Sequence, residues 1–338
     1  MAEALYHPRF GYYNRRDLQR WGRAGDYRTS PERSNLFAAT LASYFLELSE
    51  ELGTDLSLVE IGGGDGRFAR GLLDAIERTA PAMLNSVRYI WIDTSQDARE
   101  RAAEELQKYS SIVQIVDLDQ LEPLSKAVVF SNELLDAFPV HRVTNSDGEL
   151  KELYVTCNER SEFVWIADEL SSEKLAQYCS EHVPALSENQ IVEVNLGIAE
   201  WMKAIDSLLR RGFVITIDYG AAGDQLYNNP DRMQGTLRGF RAHEFVSDPL
   251  QNPGENDLTT TIDWTVVKSE GQKYGLEVIE FSQLDKFLIQ HGVLEELELS
   301  LANAATEAEK SQITTLAREM ILPSGMAASF QILVQKRD

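Results

Sequence analysis

The chain has 338 residues, 43% of them hydrophobic and 25% charged, a length that suits two domains or one large domain carrying insertions. No run approaches the ~20 apolar residues needed to cross a bilayer, which excludes an integral helical membrane protein. Lys+Arg 32 against Asp+Glu 54 leaves a net charge of −22, which repels nucleic acid and anionic membranes and suits a basic partner.

The first 33 residues depart from this trend, with arginines at 9, 15, 16, 20, 23, 28 and 33. That cluster reads either as an anion or cofactor contact or as a solvated patch. The amino terminus has no signal-peptide core and no long basic presequence, and Cys157 and Cys179 are too few for a disulfide framework or a Cys-rich zinc site. The expected home is therefore reducing and cytoplasmic. From Ser34 to Leu52, the apolar residues Leu36, Phe37, Leu41, Phe45 and Leu48 recur at helical spacing, with Ser34 as a cap. Residues 56–61 predict a buried strand running into a glycine turn and a helix over 67–80. A strand over 87–93 precedes a helix over 96–109; a third strand covers 111–116 and a fourth 126–132. This alternation predicts a parallel sheet with helices on both faces.

After Pro139 the pattern changes. Asp147-Gly148 supplies hairpin-turn chemistry between alternating strands, and 139–194 is expected to be an insertion. The parallel rhythm resumes with a helix around 196–210 and a strand over 212–220. The polar stretch from Ala221 to Asp257 is too long for a simple connection, and so is either functional or mobile. A helix near 262–275, a strand over 276–281, two helices and a strand over 329–336 complete the chain. The closing strand pair fits a sheet with one antiparallel edge strand.

The sharpest chemical signal is Glu60-Ile61-Gly62-Gly63-Gly64-Asp65-Gly66, at a strand-to-helix turn. Glycines there let the backbone approach a ligand closely. The dinucleotide fingerprint GxGxxG fails, because its third glycine falls on Arg67, Phe68 or Ala69. What remains, with Glu60, Gly62 and Gly64, is the acid-x-Gly-x-Gly-x-Gly pattern used for S-adenosylmethionine, where no phosphate needs cradling. Asp93, at the tip of the second strand, can accept from both ribose hydroxyls, or it caps the next helix with Thr94 and Ser95. Asp117, Leu118 and Asp119 follow the third strand where an adenine amino group would bind; ordinary loop residues are the alternative.

The fourth strand ends in Ser131-Asn132-Glu133-Leu134-Leu135-Asp136, where Asn132 or Glu133 would orient an acceptor. Glu133 and Asp136 are three apart, so one helical turn would put both carboxylates on one face to clamp a guanidinium. The plainer reading makes Asp136 a turn or cap residue. His141 is a candidate base or a structural strand histidine. Tyr12 and Tyr13 read as lid or surface aromatics, and Asp218-Tyr219-Gly220 borders the acceptor or caps a turn. Arg238, Arg241 and His243 read as loop-ordering groups. No His/Asp/Glu cluster has metal-ligand spacing.

These blocks together resemble the MidA-type methyltransferase family, which includes the mitochondrial complex I assembly arginine methyltransferase. The resemblance rests on ALYHPRFGYY (4–13), GRAGDYRTSPE (22–32), LVEIGGGDG (58–66), SNELLDAFPVHRV (131–143), FVITIDYG (213–220) and the 235–259 block, in family order. It implies a class I, Rossmann-like α/β fold: a mostly parallel seven-stranded sheet with one antiparallel edge strand, plus inserted substrate-facing elements. The implied divisions are a 1–33 segment closing over the cofactor, a core of 34–138 and 195–338 with a 221–260 loop, and the 139–194 insertion. Cofactor contacts fall on Glu60, Gly62, Gly64 and Asp93, with Asp117, Leu118 and Asn132 beside them and Gly25, Asp26, Thr29, Ser30 and Pro31 closing over. Asn132, Glu133, Asp136 and Pro139 match the block beside the transferred methyl, with His141 next to it. The implied activity is S-adenosylmethionine-dependent methylation of a protein arginine, without nucleic acid or membrane insertion and with a homodimer left open. Two departures stand out: GGGDG replaces the family's common Gly-Pro-Gly-x-Gly, and Asp93 stands where many relatives have glutamate. The helix that relatives place ahead of the Gly-Tyr-Tyr block is expected to be short or absent. Two rival readings are a non-catalytic assembly protein of the same fold and a nucleotide-dependent oxidoreductase, the latter opposed by the broken fingerprint.

Overall fold

A computed structural model describes residues 1–18, 20, 35–53, 55–241 and 244–338. Its strands, in chain order, are β1 (Ser57–Ile61), β2 (Arg88–Ile92), β3 (Val113–Ile115), β4 (Ala127–Asn132), β5 (His141–Ser146), β6 (Glu149–Cys157), β7 (Phe163–Asp168) and β8 (Ile191–Val194). There follow β9 (Gly212–Asp218), β10 (Gly220–Ala221), β11 (Arg238–Arg241), β12 (Glu244–Val246), β13 (Asp257–Thr259), β14 (Ile262–Asp263), β15 (Glu277–Gln283) and β16 (Gln331–Arg337). The chain forms two compact units, one of residues 20–134, 205–218 and 275–338 and the other of 1–19, 135–204 and 219–274.

The first unit is built on a seven-stranded sheet of order β15-β16-β9-β4-β1-β2-β3. β1 pairs in parallel with β2 and β4, and β4 with β9. β16 runs antiparallel to both β9 and β15. The mixed α/β sheet expected from the sequence is therefore present, with its antiparallel strand one place in from the edge. The central strands β1 and β9 are buried at every residue, as strands of a parallel sheet covered on both faces are. The helix Asn35–Leu52 buries all five residues of its predicted stripe, Leu36, Phe37, Leu41, Phe45 and Leu48. Phe45 and Phe68 meet Phe130 of β4 at ring separations of 5.7 and 4.7 Å, which fastens this helix and Arg67–Thr79 to the sheet. Ser34, its expected cap, lies outside the described residues. Three helices rather than two precede β16: Leu284–Gln290, Val293–Asn303 and Glu307–Ile321. Gly292, with φ 96°, breaks the first from the second, because a left-handed residue cannot continue a right-handed helix.

The second unit centres on a four-stranded antiparallel sheet of order β7-β6-β5-β8. Asp147 and Gly148 both adopt positive φ (56° and 79°), the conformation that a two-residue hairpin loop requires. The helix Glu173–His182 covers one face, its Leu175 and Cys179 packing with Val143, Val192 and Val194. The other cysteine, Cys157, is exposed at the end of β6. The stretch after Ala221 is folded: β11 pairs with β12 and β13, and a short helix spans Gly223–Tyr227. A five-residue helix, Ala2–Tyr6, precedes the Gly-Tyr-Tyr block.

A candidate cofactor site at the strand tips

Glu60, Asp93, Asp117 and Asn132 all stand at or just past the carboxyl ends of adjacent parallel strands in the first unit. Chain order reverses between β1 and β4, and in open α/β sheets that switch point is where ligands bind. Gly62, Gly64 and Gly66 have φ values of 76°, 61° and 84°, so the turn needs the conformational freedom its sequence provides. Gly62 and Gly63 donate to the Ile92 carbonyl, and Gly64 N donates to Asp93 Oδ2 at 3.0 Å. A Cβ on Gly63 would run into the Trp91 indole, while one on Gly62 would lie 3.0 Å from Leu134 Cδ1.

Asp93 Oδ1 accepts from Ser95 N at 2.8 Å, next to the helix start, and Oδ2 accepts from Gly64 N and closes the glycine turn, a role the sequence reading did not include. Ser95 itself caps the helix Gln96–Glu105. Desolvation raises the Asp93 carboxyl above its ordinary range, against the bonds from Ser95 and Gly64 and the charges of Arg20 and Arg99. Glu60 is only 4% exposed and accepts from Tyr89 Oη at 2.8 Å. Burial pushes its carboxyl up to about 8; the Tyr89 bond opposes this, and Asp93 and Asp65 add to it. Asp65 is raised for the same first reason, burial, with the Arg67 backbone and guanidinium opposing.

Sequence reasoning missed one group and named a second only within the arginine cluster. Tyr89 belongs to β2 and meets Glu60 only through strand register, Glu60 lying opposite Trp91. Arg20 is 1% exposed, donating to Asp97 Oδ2 at 2.9 Å and to Ser95 Oγ at 3.5 Å. The arginine cluster was the signal for the second; nothing local signalled the first. Gly25, Asp26, Thr29, Ser30, Pro31 and His243 lie outside the described residues. Asp117 caps the short helix Leu118–Gln120 in a reciprocal capping box and pairs with Arg99 at 2.9 Å.

The helical turn expected over Glu133–Asp136 does not form. β4 ends at Asn132, Glu133 takes φ 50°, and its N–H extends the ladder to the Ile217 carbonyl at 2.9 Å. Leu134 then folds over Gly62, and Pro139 bars a helix further on. Asn132 Nδ2 donates to Glu133 Oε1 at 3.2 Å, so these two side chains are brought together. Asp136 belongs to the second unit, where Thr259 Oγ1 donates to its Oδ2 at 2.6 Å and Thr260 N to its carbonyl at 3.0 Å. Burial raises its carboxyl, opposed by Thr259 and Arg238. His141 Nδ1 lies 2.6 Å from Glu152 Oε1 in the same unit. Tyr12 is fully buried and Tyr13 Oη donates to Asp257 Oδ1 at 3.1 Å, so neither is a loose surface aromatic. Asp218 is buried at the end of β9, and Arg238 and Arg241 order their loops through Thr261 and Glu255.

The left-handed glycine turn stands at the switch point of the sheet, Glu60 and Asp93 offer acceptors beside it, and the last glycine of the dinucleotide fingerprint is missing. That set fits a cationic nucleoside. A sequence profile describing S-adenosyl-L-methionine-dependent methyltransferases matches residues 40–282. The chain belongs to this family. It is similar to the Drosophila melanogaster protein arginine methyltransferase NDUFAF7 homolog, mitochondrial, at 24% identity over 98% of this chain and 79% of that one. The human protein arginine methyltransferase NDUFAF7, mitochondrial, is 25% identical over 80% of this chain and 64% of its own length. A Burkholderia thailandensis crystal structure bound to S-adenosyl-homocysteine superposes with a TM-score of 0.85 at 25% identity, covering 99% of this chain and 86% of that one. The protein is thus a methyltransferase whose cofactor is S-adenosylmethionine. No helix among the described residues is long and apolar enough to cross a membrane.

Proposed function

We propose that the chain transfers a methyl group to a guanidinium nitrogen of an arginine in a protein substrate. The observation that carries this reading is the left-handed Glu133 (φ 50°) at the tip of β4, beside the switch point of the sheet. A non-glycine residue held there costs on the order of 1 kcal/mol or more, and such strain concentrates where a side chain must be aimed. The relatives named arginine methyltransferases, matched over 98% of this chain in the fly protein, support the choice of acceptor.

Glu60, the glycine turn and Asp93 would hold the cofactor, with Asp117, Leu118 and Asn132 beside them. When bound, S-adenosylmethionine supplies an electrophilic methyl on a sulfonium. Glu133, oriented by the Asn132 amide, accepts hydrogen bonds from the guanidinium and fixes its nitrogen for in-line attack. The guanidinium's high pKa rules out prior deprotonation, so the carboxylate would take up the proton as the N–CH3 bond forms and the S–CH3 bond breaks, with the neutral thioether S-adenosylhomocysteine as leaving group. Asp136 and His141 enter this reading as groups that order their own unit through Thr259 and Glu152. We place the protein in a reducing, cytoplasmic setting, supported by two free thiols; the mitochondrial address belongs to the named relatives.

Radiolabelled methyl transfer to arginine-bearing and lysine-bearing peptides and protein fractions tests the reading. Arginine labelling is expected, falling about 10²–10³-fold in Glu133→Gln while cofactor affinity stays within about twofold. Transfer to another residue type, or full activity in Glu133→Gln, would overturn it. Binding of cofactor with no transfer to any protein would favour an assembly role instead.

A further inference from the structure

Three acids lie at the glycine turn and, among the described residues, one of them has no counter-charge. Among the described residues, the groups that act on Glu60 are the Tyr89 phenol, Asp93 and Asp65, and none is a cation. Its register neighbours are Trp91 on β2 and Phe130 on β4, neither of them ionisable. The nearby guanidinium groups serve other acids: Arg20 and Arg99 act on Asp93, Arg67 and Arg101 on Asp65. Tyr89 Oη, at 2.8 Å, is a neutral donor that cannot balance a buried charge.

A carboxyl placed this way keeps its proton near neutrality, in line with a titration point pushed up to about 8 by burial. S-adenosylmethionine brings a sulfonium and, below about pH 8, an ammonium group. We infer that Glu60 is a specificity-determining residue that gives up its proton when the cationic cofactor enters, so that binding exchanges a proton for positive charge. The exchange balances as follows: the protonated Glu60 carboxyl plus cationic cofactor yields a complex with Glu60 ionised and one proton passed to solvent. No covalent bond other than the O–H is broken. Glu60 thereby ranks ligands by charge, and S-adenosylhomocysteine, which lacks the sulfonium, displaces the proton less completely. This inference requires Glu60 to lie in the cofactor site and is independent of what the acceptor is.

Calorimetric titration of the full chain with S-adenosylmethionine, in two buffers of unlike protonation enthalpy at pH 6.5, counts the protons released. About one proton per cofactor is expected, with affinity rising about tenfold per pH unit between pH 5.5 and 7. That window lies below the titration of the cofactor's own amino group. In Glu60→Gln both the release and the pH dependence should vanish, and S-adenosylhomocysteine should release fewer protons from the wild type. Tyr89→Phe keeps the carboxyl and removes the bond that favours its ionised form, so its pH midpoint should move upward. A buffer-independent enthalpy in the wild type overturns the inference. So does release that persists in Glu60→Gln, which would assign the proton to Asp93 or Asp65. An unmoved midpoint in Tyr89→Phe overturns it as well, should Glu60→Gln fail to fold.

Discussion

Glu60 and Glu152 are the same residue, almost equally hidden at 4% and 6% exposure, yet their carboxyls are displaced in opposite directions. Glu60 sits at a parallel strand tip with a phenol and two acids around it. Glu152 sits in β6 of the antiparallel sheet. For Glu152, burial alone would raise the carboxyl, but His141, the Ser171 backbone N–H at 2.8 Å and the His141 charge together hold it below its ordinary range. Tyr154 Oη donates to it as well, at 3.1 Å. Burial sets how much a charge costs; the donors supplied decide whether the charge is there. One glutamate has been given several donors by the fold, and the other a single phenol.

The contrast is broken most strongly by pH. Glu60 is raised from 4.5 to about 8, so the native state holds a proton that the unfolded chain has lost between those values. Its stabilising share is complete below about pH 4.5 and is lost as pH rises towards 8, a fall on the order of 4 kcal/mol. Denaturant titrations of the cofactor-free protein from pH 5 to 9 should show this decline. Glu60→Gln should remove most of it and be the more stable chain at pH 9, with Asp93 and Asp65 leaving a residual slope. Glu152 has the opposite sign: its share is present above its unfolded value and lost as pH falls through its lowered native one. Glu152→Ala should cost about 3 kcal/mol at pH 7 by stranding the His141 ring and the Ser171 N–H, read as a lower denaturation midpoint.

Smaller effects sharpen each side. Gly63→Ala, whose methyl would meet Trp91, should cost about 2 kcal/mol and weaken cofactor binding while the hairpin sheet is untouched. Thr259→Val removes the hydroxyl bonded to the buried Asp136 and should cost about 1 kcal/mol by thermal denaturation, without changing cofactor affinity.

The same division runs through what the amino-acid sequence reveals. The strand-turn-helix around Glu60 was legible because its signals are local: an apolar run, a glycine cluster and a helical stripe within a few residues of one another. The hairpin at Asp147-Gly148 was legible for the same reason. Tyr89 was not, because its meeting with Glu60 depends on the register of β1 against β2, which no pattern in either strand fixes alone. The clamp drawn on a helical turn failed because spacing by three implies a shared face only if the backbone coils. Glu133 instead continues a strand ladder for one more bond, then turns left-handed. Asp136 stands in the turn that the plainer reading expected, closed by Phe138 N on the Leu135 carbonyl, and is tied to Thr259, 123 positions away.

The two cysteines give the second unit a built-in clock. Cys157 is open to solvent, whereas Cys179 is 2% exposed in the core beneath the four-stranded sheet, its thiol raised by burial to about 11. A thiol-reactive dye should therefore label one site at once and the second only as often as that core opens. The lag between the two signals times the breathing of a single region, in the native chain, with no label engineered in.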